Sequence, residues 1–325
     1  MTLSVGVLMD PIAAIKTAKD TSFALLLEAQ RRGHALHYFE QGDLALRDGV
    51  AWARCAPLRV RDDTQHWFTL APAQWRELQG LDVVLMRKDP PVDAQFIYDS
   101  MVLEAAQRAG VLVVNDPRAL RDCNEKLFAL QFPQCIAPTL VSRDATELRR
   151  FVGEHGEAVL KPLDGMGGRG IFRVRAGDSN LNSMLETLLA GDGHGHGRQL
   201  TIAQKFIPQI SAGDKRILVV DGEPVPYALA RIPQGDEFRG NLAAGGRGEG
   251  VVLSERDRWI VSQVAPELRR RGLLFVGLDV IGDYLTEINV TSPTCVRELD
   301  AQFGLNIAGQ LFDIIEQRIS GNRTA

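Results

Sequence analysis

At 325 residues the chain is long enough to bury about three quarters of its surface and to form two or three domains. Its 45% hydrophobic and 24% charged residues are those of a globular protein, and a net charge of −4 gives no reason to expect nucleic acid or anionic membrane as the main partner, although local basic residues can still meet phosphate. Cys55, Cys123, Cys135 and Cys295 form no C-x-x-C pair and stand near no histidine at zinc spacing, which fits free thiols in the cytoplasm, and the N-terminus shows neither a basic signal region nor a run of ~20 apolar residues.

Leu3–Met9 is a short apolar run that predicts a buried strand. Asp20-Thr21-Ser22 offers N-caps for a helix through Phe23–Leu27, which Gly33 ends. His34–Glu40 predicts a second strand, and Asp43–Val60 predicts short strands around an Asp48-Gly49 turn. Leu81–Met86 is a third buried strand, stopped by Pro90-Pro91; a helix over Ala94–Ala109 ends at Gly110, and Val111–Asn115 is the next strand. This β-α-β rhythm predicts an α/β unit with a doubly wound parallel sheet.

Pro117–Phe132 carries a short helix pair, after which the pattern changes. A helix over Asp144–Gly156, strands over Ala158–Leu163 and Gly170–Arg175, a helix over Leu181–Ala190 and a strand over Thr201–Ile207 predict a small α+β lid. Residues 191–197, Gly-Asp-Gly-His-Gly-His-Gly, predict a flexible loop within it. Lys215–Val220 and Val225–Ile232 predict a hairpin across Asp221-Gly222. Ser254–Arg271 is a helix with Ser254 as N-cap, and Leu305–Ile319 closes the chain as an amphipathic helix.

Between those helices, Leu278–Asn289 reads as two apolar strands joined at Gly282-Asp283, with Asp279, Glu287 and Asn289 as oxygen-bearing side chains inside them. Alternation puts Glu287 and Asn289 on one face. A turn spanning Gly282 to Tyr284 sets Asp279 opposite Glu287, whereas a two-residue turn puts it on the wrong side. Two carboxylates and an amide on one face suit a hard cation such as Mg²⁺ or stand as a solvated polar face.

Gly165-Met166-Gly167-Gly168-Arg169-Gly170 matches G-x-G-x-x-G, but the strand-like Ile171–Arg175 follows where a dinucleotide site needs a helix. The glycines therefore sit at a hairpin tip, either a loose turn or a nest of N–H groups for phosphate. Lys161, in the apolar strand feeding that tip, needs a counter-charge, which a phosphate would supply. Lys126, by contrast, reads from its spacing as a helix-surface lysine. The long segment Pro233–Gly248, with glycines at both ends and two arginines, predicts either a mobile lid, which the glycines and arginines favour, or a disordered loop with no role.

Together the segments Met86–Pro91, Arg121–Lys126, Leu160–Gly168, Gly213–Arg216, Arg239–Gly248 and Thr286–Thr294, in this order, resemble the signatures of the ATP-grasp superfamily and, within it, the prokaryotic glutathione synthetase family. The resemblance covers nearly the whole chain. It implies an N-terminal substrate-binding domain over residues 1–122 and a two-lobed ATP-grasp domain over 123–325, with a lid subdomain at about 127–207 and a metal-binding subdomain at about 208–325. It also implies ATP-dependent joining of γ-glutamylcysteine to glycine, giving glutathione, ADP and phosphate through an acyl phosphate.

By the same resemblance Lys126 and Lys161 hold the nucleotide phosphates, and Gly165, Met166, Gly167 and Gly168 cover them. Gln204, Lys205, Phe206 and Ile207 meet the adenine edge, and Asp214 is a ribose-side candidate. Asp279, Glu287 and Asn289 become ligands of Mg²⁺, with Mn²⁺ as the alternative. Arg216 and Arg231 meet the transferred phosphate and the reacting carboxylate. Arg87, Thr291 and Ser292 are substrate-binding candidates. Gly235, Arg239, Gly240, Gly245, Gly246 and Arg247 belong to the large mobile loop. The resemblance further implies a cytoplasmic homotetramer with small-molecule substrates only. Two other readings stay open on the sequence: an ATP-grasp ligase that adds glutamate or D-alanine, and a nucleotide-binding regulator without chemistry.

Overall fold

The computed structural model describes residues 1–165, 167–190, 199–235, 237, 239–240 and 245–324, with residues 322–324 described by their backbone alone. The N-terminal unit runs β1 (Ser4–Met9), α1 (Thr21–Arg31), β2 (Ala35–Phe39), β3 (Leu44–Arg47), β4 (Val50–Val60), β5 (Phe68–Leu70), β6 (Gln74–Glu77), β7 (Val83–Arg87), α2 (Ala94–Arg108) and β8 (Leu112–Val114). Asp20 caps α1 by accepting from Phe23 N at 2.7 Å, and Asp93 caps α2 in the same way through Phe96 N. Strands β2-β1-β7-β8 are parallel, as the β-α-β rhythm predicts. Beyond β2 the sheet turns antiparallel: β4 is one 11-residue strand rather than a set of short ones, and it also pairs β3, β5 and β6. The sheet is therefore mixed, and the polar strands β5 and β6 carry too little apolar alternation to be read from sequence.

The helices α3 (Pro117–Asp122) and α4 (Glu125–Ala129) lead to a second sheet. It contains β9 (Thr139–Ser142), α5 (Ala145–His155), β10 (Glu157–Pro162), β11 (Phe172–Arg175), α6 (Leu181–Leu189) and β12 (Thr201–Lys205), in the antiparallel order β11-β10-β12-β9. The third sheet is β13 (Asp214–Val220), β14 (Glu223–Ile232), β15 (Arg247–Val252), β16 (Phe275–Ile281) and β17 (Tyr284–Asn289), ordered β15-β14-β13-β16-β17. Helix α7 (Glu255–Arg270) precedes β16 behind a Ser254 capping box, and α8 (Val296–Phe303) and α9 (Ile307–Thr324) end the chain. Sequence reading overlooked α8 because the residue before it, Cys295, sits at φ +92° and makes no side-chain cap. Among the described residues no helix is long and apolar enough to cross a membrane.

Apolar packing divides the molecule unequally. One core joins Leu8, Met86 and Phe96 to Phe128, Val219, Leu278 and Ile288, and a second joins Val5, Phe23 and Leu85 to Leu218, Phe275 and Phe312. The first and third sheets are thus welded together. The second sheet keeps its own small core of Leu148, Phe151, Leu160, Val174, Leu185 and Ala203. A unit with a private core is the one that can move as a body.

Candidate active site

The β16–β17 hairpin carries the three oxygen-bearing residues, and its geometry corrects one expectation. Ile281 pairs with Tyr284, so the turn is the two-residue Gly282-Asp283, which by itself would set Asp279 opposite Thr286. A β-bulge intervenes: Val280 pairs with Leu285, but Asp279 pairs with Glu287. Thr286 is the extra residue, and its hydroxyl donates to Asp279 O at 3.1 Å. Asp279 and Glu287 therefore share a face by a different route from the one the alternation predicts. Asn289 stands opposite Gly277 and donates its Nδ2 to that carbonyl at 3.2 Å.

Arg216 lies directly across from Asp279 in the β13–β16 ladder and grips both carboxylate oxygens, at 2.5 and 2.8 Å. Arg231 reaches the same carboxylate at 2.8 Å and also bonds Asp214. Burial pushes the Asp279 carboxyl up, but the two guanidinium groups prevail and hold it well below the usual range. Asp214 responds the other way: burial outweighs Arg231 and raises it to about 6. Its Oδ1 is buried without a hydrogen-bond partner among the described residues. Asp214 thus lies among Arg231, Asp279 and Glu287, at the charged end of the cleft.

Lys126 is buried, not on a helix surface. Asn124 caps α4 by accepting from Lys126 N and Leu127 N, which aims the lysine at the β10–β11 hairpin. Its Nζ donates to Leu163 O at 3.3 Å and Gly165 O at 3.0 Å and stands 4.0 Å from Glu287 Oε1. Lys161, also buried, is 3.6 Å from the same oxygen. Burial lowers the Lys161 amine, and Glu287 opposes that shift. The hairpin tip is antiparallel as expected, with Gly165, Gly167 and Gly168 all at positive φ; Met166 lies outside the described residues.

These groups line a cleft of about 860 Å³ together with Gln204, Lys205, Phe206 and Ile207. Gln204 and Ile207 are buried, while Lys205 is exposed. From the loop after β14, Arg239 donates to Gly168 O at 2.8 Å and Gly240 closes on Arg231. Gly235 and Gly245 are left-handed turn residues in open space, and residues 241–244 lie outside the described residues, as do 191–198. Arg247 corrects the lid expectation: with Gly248 it belongs to β15, pairs with Glu249 at 2.8 Å, and lines neither this cleft nor the next; Gly246 directly precedes that strand.

A second cleft, of about 1500 Å³, meets the first at Gly165, Gly167 and Glu287. Arg216, Arg231, Asn289 and Arg87 line it. Arg87 is buried, and its bonds go to neutral oxygens, Ser22 Oγ at 3.0 Å and Pro293 O at 2.9 Å. Burial brings its guanidinium down to about 10, so a substrate carboxylate would be a favourable partner. Thr291 and Ser292 border the cleft, but both hydroxyls already have protein acceptors, Glu125 for Thr291 at 2.8 Å and Asp89 for Ser292. Glu125 itself escaped sequence reading, because a carboxylate in the first turn of a helix looks like a charge matched to the helix dipole.

Among the described residues no three His, Cys, Asp or Glu side chains form a metal-holding group. The candidate set is two carboxylates and an amide, all oxygen donors on one sheet face. It fits a cation that takes its remaining oxygens from water or phosphate, as Mg²⁺ usually does.

Known proteins match nearly the whole chain. The sequence profile described as "Prokaryotic glutathione synthetase, ATP-grasp domain" matches residues 125–304, and that described as "Prokaryotic glutathione synthetase, N-terminal domain" matches residues 3–121. The glutathione synthetase of Xanthomonas axonopodis pv. citri is 71% identical over 316 residues, covering 97% of this chain and 98% of that protein. The one from Pseudomonas aeruginosa is 58% identical, covering 98% and 99%. Among solved structures, the D-cycloserine synthetase DcsG superimposes with TM-score 0.65 at 14% identity, covering 97% of this chain and 100% of that one. The ATP-grasp ligase PsnB, complexed with minimal precursor, Mg and ADP, does so with TM-score 0.62 at 18% identity, covering 97% and 98%. These two likenesses speak to the fold. The sequence matches speak to kinship: the chain belongs to the prokaryotic glutathione synthetase family.

Proposed function

We infer that the protein joins γ-glutamylcysteine to glycine, cleaving ATP to ADP and phosphate and forming glutathione. The observation that carries this reading, beside kinship, is that a lysine-lined cleft and an arginine-lined cleft meet at one carboxylate, Glu287. A phosphoryl donor in the first and an acid in the second would react across that edge.

A carboxylate does not acylate an amine at neutral pH, because its oxygen is a poor leaving group. Attack of the peptide carboxylate on the terminal phosphorus, with cleavage of the bond to ADP, gives an acyl phosphate. The glycine nitrogen then attacks its carbonyl, phosphate departs, and the nitrogen loses a proton. Such transfer is dominated by positioning and charge stabilisation. Lys126 and Lys161 hold the phosphates, and the N–H groups of the Gly165–Gly170 tip cover them. Gln204–Ile207 takes the base. Arg216 and Arg231 stabilise developing charge, where one preorganised donor is worth about 3–4 kcal/mol. Arg87 grips a substrate carboxylate. Asp279, Glu287 and Asn289 would hold Mg²⁺, or Mn²⁺ in its place, which when bound neutralises phosphate oxygens. The loop bearing Arg239 and Gly240 shields the acyl phosphate from water.

Mass spectrometry after incubation with ATP, Mg²⁺, γ-glutamylcysteine and glycine tests the reading. Glutathione and ADP are expected in equal amounts; product only with D-alanine or glutamate as acceptor would overturn it. The tetramer implied by the family is checked by light scattering of the purified protein.

A further inference from the structure

Glu287 and Asn289 leave β17 through Val290, and the backbone of Val290 is held on both sides by side chains from far earlier in the chain. Asn115, just past β8, is buried; its Nδ2 donates to Val290 O and to Phe275 O, each at 2.7 Å, and its Oδ1 accepts from Phe275 N at 2.9 Å. Phe275 opens β16, the strand of Asp279. On the other side, Glu125 Oε1 accepts from Val290 N at 3.0 Å, Thr291 N at 3.2 Å and Thr291 Oγ1 at 2.8 Å. The residue after Glu125 is Lys126, whose ammonium faces Glu287.

Asn115 uses both amide hydrogens and its oxygen on main chain, so it cannot rotate without stranding buried polar groups. Its bonds tie the start of β16 to the end of β17 and fix how far the two strands slide. Glu125 ties that same end to the first turn of α4. The frame therefore sets two spacings at once, Asp279 to Asn289 across the hairpin and Lys126 to Glu287 across the cleft. Neither side chain is needed at the reacting atoms for this.

We propose that Asn115 and Glu125 act as a pair of positioning residues, clamping the Val290 peptide so that the β16–β17 oxygen donors and Lys126 meet one metal–nucleotide complex. The proposal rests on the reading of that hairpin as a divalent-cation site.

Calorimetric titration of the full chain with ADP in the presence of Mg²⁺, beside the KM for glycine, tests it. Asn115→Ala and Glu125→Ala are each expected to weaken ADP binding about 10- to 100-fold while glycine KM stays within about twofold, the range usual for groups that orient ligands. The double variant should lose much less than the product of the two, since both act on one peptide. Glu125→Gln keeps an acceptor oxygen and should recover most of the affinity. Should an alanine variant fail to fold, Thr291→Val removes one bond of the clamp and is expected to weaken ADP binding by a smaller factor. Folded variants that melt lower yet bind ADP as the wild type does would overturn the proposal, as would a glycine KM rising in step with the nucleotide Kd. Glutathione formation does not enter the titration, so a wild type that binds ADP and Mg²⁺ but makes no glutathione would sink the proposed function alone.

Discussion

Glu287 does two things with one carboxylate. It is the counter-charge of two buried lysines, at 3.6 and 4.0 Å, and it is the residue at which both clefts meet. Glu287→Ala is expected to lower turnover at least about 100-fold, with a cooperative melt and native circular dichroism. ADP release and thermal unfolding on one preparation check both halves; retained turnover would remove Glu287 from the site. Sequence alone could name this residue because strand alternation is local. It could not place Lys126. The helix around Lys126 shows no periodic sign of burial, and what covers the lysine is a hairpin tip some forty positions away. Arg247 failed for the opposite reason: a glycine-rich, charged stretch looks like loop, yet ladder pairing to β14 makes it a strand.

At the scale of elements, the loop between β14 and β15 is built around a close approach. A Cβ added at Gly240 would meet Arg231 O at 2.2 Å and Asp214 Cβ at 3.2 Å. Gly240→Ala must push the loop off the cleft, and a displacement of about 1 Å can cost about 100-fold. We expect kcat to fall at least tenfold by that argument, with a larger share of ATP hydrolysed without product, read as the ratio of phosphate to glutathione. The α1–α9 contact permits a test of stability against pH. The Arg31 guanidinium, with Arg32, holds the Glu28 carboxyl down at about 2 from its ordinary 4.5, against the upward push of burial. Arg32 also bonds Asp313 at 2.8 Å and Glu316 at 3.1 Å on α9. A depressed carboxyl stabilises above its unfolded value, and that stability drains away as pH falls from 4.5 towards 2. Glu28→Gln should therefore cost about 1–2 kcal/mol at pH 7, discounted for solvent screening, and progressively less below pH 4.5, as urea titrations at several pH values would show. An equal cost at every pH would refute it.

For the whole molecule, the division of the core decides what can move. The first and third sheets share two apolar cores, whereas the second sheet has its own. The first cleft lies between the second and third sheets, so a ligand held there would bridge the two units. ADP with Mg²⁺ at about 100 times its Kd should stabilise the protein by about 2.7 kcal/mol, a rise in Tm of several degrees. Chelation with EDTA is expected to abolish most of that rise while leaving the unliganded melt unchanged. Hydrogen exchange should slow chiefly in β10–β12. No difference between Mg²⁺ and EDTA would argue against a cation in the nucleotide site.

The sequence by itself determined the kinship, the order of the functional segments and every element with a strong apolar period, because those signals lie within a few residues of each other. Tertiary structure alone decided three things. The two-residue turn needed a bulge at Thr286 before Asp279 could face Glu287, and register depends on pairing between strands, not on alternation along one. Thr291, a substrate-contact candidate that borders the second cleft, is tied to Glu125, whose position in sequence gives no hint that it lands there. The second sheet stands apart because, among the described residues, its core side chains form a cluster of their own. Each is a matter of which distant residues meet, and no local pattern encodes that.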